Sequence, residues 1–385
     1  MKEIFTPFNP WWQTTYKTNT ILRKKYIEKL KTLLNTKDII ILTGLRRVGK
    51  TTLLYQIIEH LLQKVSKKHI FYISLDLLSI KNMTIYQIIQ EYRSIQKITM
   101  QEMIYVFLDE ITVKEHFQQE LKNLYDLGNI KIFVSSSSAT KLKDTHAYLT
   151  GRARYIEIEP LDFCEFLQFR NYTISPSNPQ LYKSYFEEYM EFGGIPEYVL
   201  QREPTYISDL TRTIIYKDII AKYAIRNTEA VFDLFTLLIE RVGKPISYTR
   251  LANILNISVD SVQTYISYFL ETYLFYQITM TGKLNERIKG PKKLYAGDVG
   301  LKNVTHGFKD KGSIYENLVF LKIKSETNEF IHFLYKDGIE IDFYFGDTLI
   351  EAKFGQEMTE KQKKLFDSSK AKNKIIAEGV EFFLE

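Results

Sequence analysis

Gly44 to Leu54 reads GLRRVGKTTLL, and this stretch decides the fold. It follows DIIILT (Asp38–Thr43), a short unbroken apolar run of the kind that forms a strand buried on both faces of a parallel sheet. After it, Leu53, Leu54, Ile57, Ile58, Leu61, Leu62 and Val65 recur at helical spacing and predict one apolar helix stripe. GxxxxGK[ST] between a strand and a helix is the pattern of a phosphate-binding loop. Its glycines let the backbone curl so that successive N–H groups point at phosphate oxygens, and the helix N-terminus adds its positive dipole end. Gly44, Arg47, Gly49, Lys50, Thr51 and Thr52 are the expected ATP contacts. Lys50 is placed to reach the β- and γ-phosphates, and the Thr51 hydroxyl to take Mg²⁺.

A second strand is expected at Met103–Asp109, MIYVFLD, ending in Asp109-Glu110. An acid at the end of an apolar strand is where a Mg²⁺ ligand belongs in such a domain, which is the role expected of Asp109. Glu110 is then the general base that polarises the attacking water. A further strand, KIFV (Lys131–Val134), opens into four serines, Ser135 to Ser138. A hydroxyl there either senses the γ-phosphate or belongs to an ordinary serine-rich turn.

GLRRVGKTT, VFLDE, the serine cluster, TGRARYIEIEPLDFCEF and the later EFGGIPEYV resemble, in this order, an archaeal and bacterial family of AAA+-type P-loop ATPases. That family carries a C-terminal region long described only as a domain of unknown function, and the likeness covers nearly the whole chain. It implies Ser137 as the sensor-like hydroxyl and Arg152 as an arginine finger, with Arg154 a nearby substitute. The family usually has a glycine before the sensor serine where this chain has Ser136, so the sensor assignment is open by one residue. An arginine finger acting on a neighbouring subunit would require a homo-oligomer. NPWW (Asn9–Trp12) also resembles the family's start, and its tryptophans either pack near adenine or anchor the N-terminal arm on the core.

From Phe166 to Arg226 the pattern is helical, broken by SPSNP (Ser175–Pro179) and GGIP (Gly193–Pro196), and reads as a lid or connector. Beyond it come a helix at Val231–Val242, a second capped by Ser247, the tight turn NIS, and a third at Val259–Phe275. The strand FYQITM, a basic stretch and the return strand KLYAG follow, so the pattern is a winged helix-turn-helix. Asp260, Ser261, Gln263 and Thr264 would then face DNA bases and the cations of the wing would contact phosphate. Such modules also serve as ATPase lids or protein docks.

Near the C-terminus, a helix at Ile314–Lys324 carries Glu316. The strands IEIDFYFG (Ile339–Gly346) and TLIEAKFG (Thr348–Gly355) follow, separated by a Gly-Asp turn. By period-two alternation Glu340 and Asp342 share one face, and Glu351 and Lys353 share another. Asp342, Glu351 and Glu316 are expected to converge on one divalent ion, with Lys353 stabilising charge on an attacking water. This resembles the PD-(D/E)XK nuclease core, although many folds of that kind only bind.

The chain has 385 residues, 45% apolar and 25% charged, which is a globular balance and implies more than one core. The expected division is an N-terminal arm (1–36), a P-loop domain (37–165), a helical connector (166–228), a winged helix (229–300) and a restriction-endonuclease-like α/β domain (312–385). No apolar run approaches the ~20 residues that span a bilayer. MKEIFTPFNPWW lacks a signal-peptide hydrophobic region, and the single cysteine, Cys164, excludes an intramolecular disulfide. The expected location is cytoplasmic, without membrane contact. Net charge is +6, and eight cations against three acids lie between Lys283 and Lys311, with a second cluster at Arg23–Lys31. These are either solvated faces or DNA-phosphate contacts. Three functions remain open: an ATPase that processes DNA, an ATP-switched DNA-binding regulator, and a signalling or chaperone-like ATPase whose winged helix binds protein.

Overall fold

A computed structural model describes residues 1–138, 148–173 and 179–384, and the chain divides into two compact units, Met1–Ile158 and Glu159–Glu385. Residues 175–178 of the expected SPSNP break lie outside the described residues, as does residue 174 before it.

The first unit is built on five parallel strands: β1 (Ile39–Thr43), β2 (Ile70–Ser74), β3 (Ile104–Asp109), β4 (Ile130–Ser135) and β5 (Ala153–Glu157). They lie in the order β2-β3-β4-β1-β5. Helices α1 (Lys24–Thr32), α2 (Lys50–Leu61), α3 (Ile85–Gln96) and α4 (Phe117–Leu127) accompany the sheet. Every residue of β1 is buried, as its unbroken apolar run requires. Ile73, Ile88, Tyr92, Val106, Leu121 and Val134 belong to one continuous core. In a parallel sheet the crevice outside the carboxyl ends of the strands receives ligands. Here those ends present Gly44, Asp109 and Ser135 side by side.

Strand β2 is an edge, and the N-terminal arm closes it. Asn9 donates to the Tyr72 carbonyl at 2.9 Å and accepts from the Tyr72 N–H at 2.7 Å, so a side-chain amide takes the place of a neighbouring strand. The indole N–H groups of Trp11 and Trp12 both donate to the Ile70 carbonyl, at 3.1 and 3.0 Å. Trp12 stacks on Phe71 and Tyr92. NPWW therefore anchors the arm on the core.

The second unit opens with helices α5 (Phe163–Phe169), α6 (Pro179–Phe192), α7 (Pro196–Gln201) and α8 (Pro204–Thr213). Between α6 and α7, Gly194 N–H donates to Asp298 at 2.6 Å, and Gly300 N–H donates to the same carboxylate at 2.8 Å. Gly193 sits at φ +73°, where a Cβ would fall 2.2 Å from that carboxylate. GGIP is thus clamped from a hundred residues away and is more than a turn between helices.

Helices α9 (Thr228–Glu240), α10 (Tyr248–Leu255) and α11 (Val259–Glu271) follow. Seven strands then form one sheet: β6 (Pro245–Ile246), β7 (Phe275–Met280), β8 (Lys292–Ala296), β9 (His332–Lys336), β10 (Ile339–Phe345), β11 (Thr348–Lys353) and β12 (Asn373–Glu378). Their order is β12-β11-β10-β9-β7-β8-β6. The stretches 229–300 and 312–385, expected as separate modules, are joined where β7 pairs in parallel with β9 through Thr279–His332 and Met280–Phe333. Helices α12 (Leu284–Lys289), α13 (Val299–His306), α14 (Lys311–Glu326) and α15 (Glu360–Ser368) complete the unit.

The basic clusters are less exposed than their sequence implies. Lys293 and Lys302 are buried inside the second unit and Arg23 inside the first. The charge run between Lys283 and Lys311 is therefore not one solvated face.

Candidate functional site

The loop after β1 takes its shape from its two glycines. Gly44 sits at φ +129°, and a Cβ there would fall 2.2 Å from the Ile158 carbonyl oxygen. Gly49, at φ +95°, caps the N-terminus of α2 in the left-handed region. Leu45 and Val48 are buried between them and hold the loop down, while Arg47 is exposed at φ +71°. Lys50 opens α2 with its side chain buried. Its ammonium donates to the Gly44 and Leu45 carbonyls at 2.8 and 2.9 Å, so the charge is held across the mouth of the loop. Thr52, next on the helix, is half-buried.

The Thr51 hydroxyl donates to Asp109 Oδ2 at 2.7 Å. Asp109 is buried at the end of β3 and collects two further hydroxyls, from Tyr72 on β2 at 2.9 Å and from Ser135 at the end of β4. Ser135 Oγ also accepts from the Glu110 N–H at 3.1 Å. Glu110 itself turns to φ +54°, half-exposed beside Asp109. Three neighbouring strands and one helix thus converge on a single carboxylate. The donor set suits Mg²⁺: a hydroxyl and a carboxylate already face one another next to a loop shaped for phosphate.

Sequence pattern misses Tyr72 and Arg23 as members of this site and does not single out Ser135 among the four serines. Tyr72 is one aromatic in an apolar strand and carries no motif. Ser135 stands at the start of the serine cluster, whereas Ser137 lies two residues beyond β4 and is half-buried. Arg23, read as part of a surface cluster, donates from its guanidinium to the Val48 carbonyl at 3.0 Å and stacks over Tyr26 at 4.6 Å. It braces the loop from behind.

Arg152 is far from this centre within its own chain. It immediately precedes β5, and its carbonyl accepts from Ile39 N–H at the start of β1. The phosphate loop leaves the other end of β1, a strand length of roughly 16 Å away. The Arg152 guanidinium pairs with Asp126 at 3.4 Å and stands 5.7 Å from the Tyr125 ring. Arg154 pairs with Asp38, at the same distant end. An action of either arginine on its own subunit's phosphate loop is excluded by this topology.

In the second unit, α14, β10 and β11 bring Glu316, Asp342, Glu351 and Lys353 together, and β8 adds Lys293. The Lys293 ammonium is 0% exposed and lies 3.1 Å from Glu340, 3.2 Å from Glu316 and 3.4 Å from Asp342. Tyr295 donates to Glu316 at 2.7 Å. Asp342 accepts from Ala352 N–H at 3.0 Å, and Glu351 accepts from Asp342 N–H at 3.2 Å. Lys353, at 2.8 Å, and Gln362, at 3.0 Å, hold the other oxygen of Glu351. Burial, with the Asp342 charge added to it, pushes the Glu316 carboxyl up to about 8 and that of Glu351 up to about 7. Burial opposes the charge on Lys293, but Glu316, Asp342 and Glu340 more than offset it and hold the ammonium above the usual lysine range. Among the described residues, no group of three or more His, Cys, Asp or Glu side chains is arranged to hold a metal ion. The divalent ion expected at Glu316, Asp342 and Glu351 does not fit this arrangement, because a protein cation already stands among the acids.

Fold and loop together define a P-loop domain of the AAA class. Residues 36–167 match the family model described as AAA domain, and residues 183–312 match a domain of unknown function, DUF8612. The chain is 30% identical to the uncharacterized protein MJ1544 of Methanocaldococcus jannaschii over 354 residues, covering 86% of this chain and 78% of that protein. It belongs to the same protein family as MJ1544. An uncharacterized protein of Haemophilus influenzae is 28% identical over 326 residues, covering 79% of this chain and 78% of that one. Among solved structures, the Aeropyrum pernix ORC2 protein in its ADPNP-ADP complexes aligns with a TM-score of 0.42 at 11% identity, over 81% of this chain and 97% of that chain. Among the described residues, no helix is long and apolar enough to cross a membrane.

Proposed function

We propose that this protein is a Mg²⁺-dependent ATPase whose nucleotide cycle governs its contact with DNA. The observation that carries the ATPase reading is the 2.7 Å hydrogen bond from Thr51 to Asp109, beside the glycine-shaped loop. Thr51 and Asp109 would hold the metal, which when bound neutralises charge on the β- and γ-phosphate oxygens. The loop N–H groups up to Thr52 and the Lys50 ammonium bind and orient the triphosphate. To do so, Lys50 exchanges the Gly44 and Leu45 carbonyls for phosphate oxygens. Glu110, held beside Asp109 by its own N–H bond to Ser135, accepts the proton of the attacking water. Ser135 and Ser137 are the hydroxyls that would register the γ-phosphate. Arg152 would act only on a neighbouring copy, so hydrolysis at full rate requires a homo-oligomer.

The DNA reading rests on taking α10, α11 and the β7–β8 pair as a winged helix. Asp260, Gln263 and Thr264 are exposed at the start of α11, with Ser261 half-exposed beside them, and α12 carries Lys283 at its N-cap, Arg287 and Lys289. A specific observation favours a protein partner as a second reading. α11 contains no lysine or arginine, and α12 exposes Leu284 (67%) and Ile288 (60%) one turn apart. No phosphodiester cleavage is assigned to the C-terminal cluster.

The test is ATP turnover by the wild type, Lys50→Ala and Asp109→Asn, with duplex-DNA affinity measured in parallel with and without ATP. The expected result is turnover in the wild type and a loss of at least about a hundredfold in each variant, the scale of removing a preorganised charge contact. Wild-type protein that neither binds nor hydrolyses ATP would refute the reading.

A further inference from the structure

The C-terminal cluster has the residue types of a metal site and the wiring of an ion-pair site. Lys293 reaches it from β8, a strand that belongs by sequence to the basic wing. Its ammonium meets Glu316 from α14 and both Glu340 and Asp342 from β10, at 3.1 to 3.4 Å. Burying an ammonium is costly unless acceptors surround it, and here three carboxylates do. The remaining oxygens of the innermost acids are also engaged. Asp342 uses its second oxygen on Ala352 N–H, and Glu351 uses one on Asp342 N–H and the other on Gln362 and Lys353.

A divalent ion needs about six oxygen ligands, at about 2.1 Å for Mg²⁺. To gather them here it would have to break these bonds and share the space with a second positive charge that is 0% exposed. The Lys293 side chain is enclosed, with the Phe333 ring 5.5 Å from its ammonium.

From this wiring we infer that Lys293 is the resident cation of the nuclease-like cluster and takes the place a divalent metal would occupy. The cluster is then an ammonium-centred tie between β8, β10 and α14, and it binds no divalent ion in the native protein. This does not depend on the ATPase reading, because none of these residues belongs to the phosphate loop.

The experiment is a Mn²⁺ titration followed by electron paramagnetic resonance, on nucleotide-free full-length protein carrying Asp109→Asn to remove the metal position at the loop. The expected result is that Glu316→Gln and Asp342→Asn leave Mn²⁺ binding as in that parent. Lys293→Met then gains one Mn²⁺ site, and its Tm rises with Mn²⁺ while the parent's does not. A parent that binds Mn²⁺ and loses at least tenfold in affinity on Asp342→Asn overturns the inference. So does a folded Lys293→Met that acquires no Mn²⁺ response. If Lys293→Met does not fold, the Asp342→Asn comparison decides alone.

Discussion

Tyr72 donates its hydroxyl to the same oxygen of Asp109 that Thr51 binds, at 2.9 Å. The ring is buried in the first unit, and its backbone is held at the sheet edge by Asn9. Tyr72 therefore orients the acid without meeting the nucleotide. Outer partners of metal-binding carboxylates typically tune metal affinity by 10–100-fold. Tyr72→Phe is expected to raise the Mg²⁺ concentration giving half-maximal ATP turnover by about tenfold, while ATP affinity measured without metal stays unchanged. The lost hydrogen bond should also lower stability by about 1 kcal/mol. A Mg²⁺ titration identical to that of the wild type would show that the tyrosine only packs.

Arg152 yields a different kind of prediction. With its guanidinium at the far end of β1, any role it has in hydrolysis would be on a neighbour's nucleotide. Arg152→Ala and Lys50→Ala should each be inactive alone. Mixed and reassembled in equal amounts, they should recover up to about a quarter of wild-type turnover, since one random head-to-tail interface in four combines an intact loop with an intact arginine. Absence of any recovery, in mixtures shown by native mass spectrometry to contain both variants, would remove Arg152 from the mechanism.

How far the chain could be read from its sequence depended on locality. Gly44, Gly49, Lys50 and Thr51 were legible because a strand, a turn and a helix dictate their spacing within a few residues, and Asp109 because an acid there ends an apolar strand. Asp342, Glu351 and Lys353 were legible as a group because strand alternation assigns their faces, and Glu316 because a helix precedes those strands. What escaped was long-range. Tyr72 and Ser135 join the site only through strand order, which no local pattern encodes. Lys293 looks like its neighbour Lys292, yet it begins the consecutively buried run of β8 while Lys292 stays partly exposed.

Asp298 links pH to stability. It is buried, and burial raises its carboxyl to about 6 despite the N–H donors of Gly194 and Gly300. The folded value thus lies above the ordinary one of about 3.9. The sign follows: the contribution is complete below about pH 4 and is lost as pH rises through 6, on the order of 3 kcal/mol in all. Asp298→Asn cannot ionise and offers one acceptor oxygen for two N–H groups. It should be less stable than the wild type by a margin that shrinks between pH 4 and pH 6.5. Denaturant unfolding across that range measures the margin, and a constant difference would contradict the shift.

The surface around α12 separates the two partner classes. If Lys283, Arg287 and Lys289 contact DNA phosphates, replacing all three with glutamine should weaken binding to every duplex alike. It should also lower the slope of log K against log salt by about 3, close to one for each neutralised phosphate. If Leu284 and Ile288 dock a protein instead, Leu284→Asp with Ile288→Asp should leave any DNA binding and its salt slope intact. An apolar contact gains nothing from counterion release, whereas two aspartates buried in it would cost far more than losing the surface charges of Lys283 and Lys289. Fluorescence anisotropy with a random-sequence duplex between 50 and about 200 mM salt distinguishes them. A slope unchanged by the triple glutamine variant removes DNA from this face.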